Sequence, residues 1–133
     1  MSVRQRLPDR RPCSSHRIEW NGAYWTVTVG WDGAGRVKEI FVTGEKTGTH
    51  LAVLVEDACF MVSRLLQRGE CVRDLANSLF LQQLSRKGST DTGEQLPSLL
   101  AAAVATAAQI EEEEGEDMTR LAVVLTARAA AAS

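Results

Sequence analysis

The segment Gly44-Glu45-Lys46-Thr47-Gly48-Thr49 sets two glycines, a lysine and two threonines directly before a helical pattern that opens at His50. Backbone amides at a helix start, beside a lysine, suit a phosphate. The order is not G-x-x-x-x-G-K-[ST], because the lysine precedes the second glycine. Two readings follow. Lys46, Gly48, Thr49 and His50 form a phosphate-binding turn, or the loop caps a helix and leaves its lysine in water. Residues 1–17 are basic: Arg4, Arg6, Arg10, Arg11 and Arg17 stand against a single Asp9, and Pro8 and Pro12 oppose helix. Such an arm either lies extended on the domain or touches phosphate or an acidic partner, with Arg10 and Arg11 as its densest charge.

Other chemistry is sparse. The cysteines are Cys13, Cys59 and Cys71, an odd number without a C-x-x-C pair. That pattern supports neither a disulfide framework nor a zinc knuckle. Cys59, inside an apolar stretch, reads as a small core residue. Cys71 reads as a structural residue at a helix start, with a lowered thiol pKa as the alternative. His16 and His50 have no acidic or thiol ligands at metal-binding spacing. No nucleophile–histidine–carboxylate set can be assembled, so no catalytic residue, metal or cofactor is expected. Glu39 sits among β-forming residues. It either faces solvent on an edge strand or, if buried, needs Lys46 or an arm arginine as partner. Trp20, Trp25 and Trp31 cluster, and core packing is the default for at least two of them. An exposed pair beside arginines would suggest base stacking.

Those residues need a scaffold. The chain has 133 residues, 44% hydrophobic, with fifteen basic and seventeen acidic side chains. This supports one buried core and excludes a uniformly basic nucleic-acid coat. No apolar run approaches about 20 residues. The start MSVRQRLPDRRP is no secretory signal. The expectation is a soluble, cytoplasmic chain.

From Ile18 to Val42 the pattern is β. Asn21-Gly22 marks a two-residue hairpin, since both positions favour positive φ. Along the next strand Tyr24, Thr26 and Thr28 share one face; Trp25, Val27 and Val29 share the other. A turn over Trp31 to Gly35 leads to a third strand, Val37–Val42. A helix over His50–Arg68, with Thr49 or Thr47 as N-cap and Gly69 at its end, carries Leu51, Val55, Cys59, Val62 and Leu66 on one stripe. Leu54, Ala58, Met61 and Leu65 lie beside it, and the width predicts the central core element. A shorter helix over Val72–Leu81 points Val72, Leu75, Leu79 and Phe80 inward. Pro97 suits a first helical turn. Gly115 then divides the Ala-rich tail into two helices joined at Glu114–Asp117. The run Glu111–Glu114 reads as a solvated corner or as a docking site for the basic arm of another copy. The fold class is therefore α+β: a three-stranded antiparallel β-meander packed on a long helix plus a short helix, with a C-terminal Ala-rich helical hairpin. The divisions are a basic arm (1–17), an α+β domain (18–88) and a helical extension (89–133).

The ordered parts Leu7-Pro8-Asp9-Arg10-Arg11-Pro12, Tyr24 to Gly30, Gly35 to Val42, Lys46-Thr47-Gly48-Thr49 and Ser63 to Gly69 resemble the TSCPD domain family over about residues 7–100. That domain occurs within adenosylcobalamin-dependent ribonucleotide reductases and as small free-standing proteins. The family's Thr-Ser-Cys-Pro-Asp run is replaced here by Gly88-Ser89-Thr90-Asp91-Thr92, without cysteine or proline. No thiol or metal role therefore carries over from that motif. A reductase needs a radical cysteine, a reducing pair and a barrel that excludes water. Three scattered cysteines do not supply them. The resemblance implies a non-catalytic accessory protein that binds a protein partner or a nucleotide or nucleic-acid phosphate. One alternative is a structural or regulatory homo-oligomer built through the C-terminal helices. Another is reductase activity by family name only.

Overall fold

A computed structural model describes residues 3–4, 7, 11–44, 48–86 and 97–132, with side chains to residue 128. Three strands, β1 (Cys13–Trp20), β2 (Ala23–Trp31) and β3 (Val37–Gly44), form an antiparallel sheet in the order β1-β2-β3. Asn21 (φ 50°) and Gly22 (φ 79°) make the two-residue turn, which sets Trp20 opposite Ala23 and carries the register back to Cys13 opposite Gly30. The sheet thus begins five residues before Ile18. Asp32 shapes the second turn: its carboxylate accepts from the amides of Ala34 (2.9 Å) and Arg36 (3.0 Å). A bulge between Gly30 and Trp31 sets Gly30 opposite Glu39 and Trp31 opposite Val37.

Helix α1 (His50–Gln67) starts at Thr49, whose hydroxyl accepts from Ala52 N at 3.1 Å. It lies along the free edge of β3. Ser63 Oγ accepts from Ile40 N (2.9 Å) and donates to Ile40 O (3.2 Å), while Gln67 donates to Lys38 O (3.2 Å). Side chains thereby satisfy backbone groups that a fourth strand would otherwise take. Gly69 (φ 110°) follows the helix in the left-handed conformation expected after a C-cap.

Two expectations about the helices are corrected. Of the α1 stripe, Val55, Cys59, Val62 and Leu66 are buried, but Leu51, Leu54, Met61 and Leu65 are exposed. The centre of the core is shared with the tail, where Ala103, Val104 and Ala107 are fully buried. Small side chains let that helix lie close to the sheet, which pushes α1 to the edge. Helix α2 (Val72–Ser85) runs past Leu81, and Phe80 points outward. Its inward stripe is Val72, Leu75, Ala76 and Leu79, and Phe80 falls one position beyond it.

The helical hairpin is also corrected: the tail is one helix, α3 (Leu99–Ala132), of 34 residues. It begins after Pro97, with Ser98 Oγ accepting from Ala101 N at 3.0 Å. At 1.5 Å per residue it is about 50 Å long. Gly115 does not break it. A Cβ there would sit 2.7 Å from Gly35 O, closer than real Cβ atoms approach, so the glycine serves a backbone-to-backbone contact with the second turn. The glutamates before it and Met118, Arg120 and Leu121 after it are good helix formers and carry the helix through. The acid run is no solvated corner either. Glu111 Oε2 accepts from Val37 N at 2.8 Å, Glu112 pairs with Arg73 on α2, and Glu114 pairs with His16 on β1 at 3.0 Å.

Candidate functional site

A strand in a pleated sheet sends alternate side chains to opposite faces. The inner face holds Trp25, Val27, Val29, Trp31, Ile40 and Val42, all buried. The outer face holds Ser15, Arg17 and Glu19 of β1, Tyr24, Thr26 and Thr28 of β2, and Phe41 and Thr43 of β3. The described helices pack on the inner face and the β3 edge, so no described helix covers this outer surface.

The hairpin register builds the site. Arg17 stands opposite Thr26, and its guanidinium swings diagonally to lie 4.2 Å from the centre of the Tyr24 ring. Such a contact is a cation–π pair. Thr26 stands opposite Thr43, and Ser15 Oγ meets Thr28 Oγ1 at 2.9 Å. Arg17, Tyr24, Thr26, Thr43 and Gly44 line a hollow of about 350 Å³. The hollow thus brings together a cation, an aromatic face and hydroxyl groups. Phe41, 45% exposed, extends the apolar part of the surface from its place opposite Thr28.

The residues expected to act together are separated. Arg11 Nε and Arg11 Nη2 donate to the two carboxylate oxygens of Glu39, each at 2.8 Å. The pair covers Gly30, where a Cβ would collide with the Glu39 carboxylate. Glu39 thus has an arm arginine as partner, and Arg11 is engaged. Gly48 (φ 82°), Thr49 and His50 lie beyond the other end of β3. Thr49 is occupied as the helix cap, and His50 is exposed. Arg10, Lys46 and the Gly88–Thr92 stretch lie outside the described residues. Trp31 is fully buried, with Nε1 3.4 Å from Ser14 Oγ, and Trp25 is buried as well. Trp20 is half-buried and donates to Pro97 O at 2.7 Å. On the described sheet the exposed aromatics are Tyr24 and Phe41 instead. Among the described residues no group of three or more His, Cys, Asp or Glu could hold a metal, and no helix is long and apolar enough to cross a membrane.

A protein-family comparison matches the TSCPD domain over residues 3–108. The chain belongs to the TSCPD domain family. The match takes in the sheet, α1, α2 and the first ten residues of α3, so the whole outer face is part of the TSCPD domain. Among curated proteins and among solved structures, none matches.

The cysteines of this TSCPD domain are all free thiols. Burial pushes the Cys59 thiol up to about 11, so it stays protonated and unreactive near neutral pH. Cys71 precedes α2 without a side-chain cap bond. Sequence reasoning missed Arg17 because it was assigned to the arm. Counting outward from Asn21-Gly22 would have found it: the turn that pairs Trp20 with Ala23 also pairs Arg17 with Thr26.

Proposed function

We propose that this TSCPD domain is a non-catalytic binding module whose outer sheet face takes a phosphate-bearing ligand, a nucleotide or a single-stranded nucleic acid. The observation that carries it is the Arg17–Tyr24 pair at the mouth of the hollow. Tyr24 and Phe41 offer rings for stacking, and the threonine hydroxyls offer donors to phosphate oxygens. Glu19 stands opposite Tyr24 at the hairpin end, so the phosphate belongs on the Thr26–Thr43 side of Arg17. The non-catalytic half of the reading rests on the cysteines: one is buried and held protonated, and the other two lie in separate elements of the fold.

Fluorescence anisotropy with a labelled oligothymidylate, with ATP and dATP as competitors, tests the proposal. Binding should weaken as salt rises, as phosphate contacts require. Arg17→Ala and Tyr24→Ala should each weaken it by about tenfold, the range of a lost stacking or charged contact. Binding indifferent to both substitutions, or no binding at low salt, refutes the assignment.

A further inference from the structure

The exposed part of α1 is unusual in composition. Leu51, Val53, Leu54, Phe60, Met61 and Leu65 are each at least 40% exposed. Apolar clusters of this size on a soluble domain mark an interaction surface. Five residues of this surface keep a strict rhythm. Leu51, Leu54, Ala58, Met61 and Leu65 alternate steps of three and four, the a and d positions of a heptad. The two positions that would flank this seam have different fates. Val55 and Val62, on the e side, are buried in the chain's own core. Asp57 and Arg64, on the g side, take part in no ion pair among the described residues; Arg64 only approaches the Phe60 ring at 5.9 Å.

We propose that α1 pairs antiparallel with α1 of a second copy of this chain. The charges choose both partner and direction. In a parallel pair, g residues face e residues, so Asp57 would meet the partner's Val62, which is already buried. In an antiparallel pair, g faces g. The register that packs Ala58 on the partner's Met61 and Leu54 on the partner's Leu65 also sets Asp57 opposite the partner's Arg64. Two-fold symmetry makes that ion pair occur twice. One helix therefore carries both halves of its own complement. Two such faces together remove on the order of 1,000 Å² from water, the lower bound for a specific interface. The interface differs from one built on the C-terminal helices, and it leaves the outer face of the sheet open.

Sedimentation equilibrium of the full chain is the test. The full chain should be a dimer at micromolar concentration. Asp57→Arg should weaken it by about tenfold or more, since it sets like charges face to face twice. Arg64→Asp should do the same. The double variant D57R/R64D restores the pair with reversed sign and should recover the dimer to within a few-fold. Far-UV circular dichroism should be unchanged, because Asp57 is exposed. A monomer at about 100 μM, as when another segment of the chain covers α1, overturns the proposal. So does a dimer that ignores D57R, or a double variant no better than either single one.

Discussion

Helices α1 and α3 flank the same sheet and spend their surfaces in opposite ways. In the most acidic stretch of the molecule, Glu111–Glu114, three of the four carboxylates are tied to other elements of the fold, and Glu113 is exposed. Glu111 bonds the Val37 amide beside the bulge, Glu112 reaches α2, and Glu114 reaches His16. Helix α1, by contrast, turns leucines, a methionine and a phenylalanine to water. Hydropathy alone would have reversed the two assignments. A short carboxylate stem next to an unmet amide is a structural fastener, because a buried amide without a partner costs about 1–3 kcal/mol. An apolar side chain on a helix at the sheet edge has only one neighbour to pack on.

The comparison can be broken first at α3. Gly115→Val should cost about 3 kcal/mol or more, measured by urea denaturation, because a side chain there meets the Gly35 backbone rather than a movable group. A neutral result would mean that α3 does not pack tightly on the second turn. Next, Glu111→Ala should cost about 1–3 kcal/mol by leaving Val37 N unmet. The same change at exposed Glu116 should cost under about 0.5 kcal/mol. A third test concerns the buried side of α1. Unfolded, the Cys59 thiol ionises near pH 9; folded, it keeps its proton to about pH 11. The folded state therefore binds more protons between those values, and stability falls as pH rises through them, by about 1–2 kcal/mol. Chemical denaturation at pH 8 and pH 10.5, with Cys59→Ala removing the difference, checks it. The smallest effect belongs to the outer side of α1. Leu54→Ser should change the stability of the monomer by under about 0.5 kcal/mol, read at concentrations too low for self-association.

Much of the sheet was legible because its signals are local. Asn21-Gly22 needs only its own two backbone angles, and the β2 alternation needs only its neighbours. Thr49 and Gly69 mark α1 for the same reason. What failed depended on distant residues. Gly115 resembles a break until Gly35, eighty residues earlier, is placed against it. Cys13–Arg17 carries no apolar alternation and reads as an arm until β2 supplies a partner. That hid half of the candidate site, since Arg17 acquires a role only through Tyr24. The separation of Arg11 from Gly48–His50 was equally hidden, because the bidentate hold of Glu39 fixes Arg11 at the opposite end of β3.

The clasp of Ser63 on Ile40 has a consequence for how such chains can associate by their backbones. With both polar groups of Ile40 satisfied from α1, β3 gives an incoming strand less to bind, and among the described residues β1 is left as the sheet's accessible margin. Polymerisation by strand addition requires two accessible margins per subunit. A chain with one can join a single sister sheet there, after which both ends of the six-stranded product are helix-covered and growth stops.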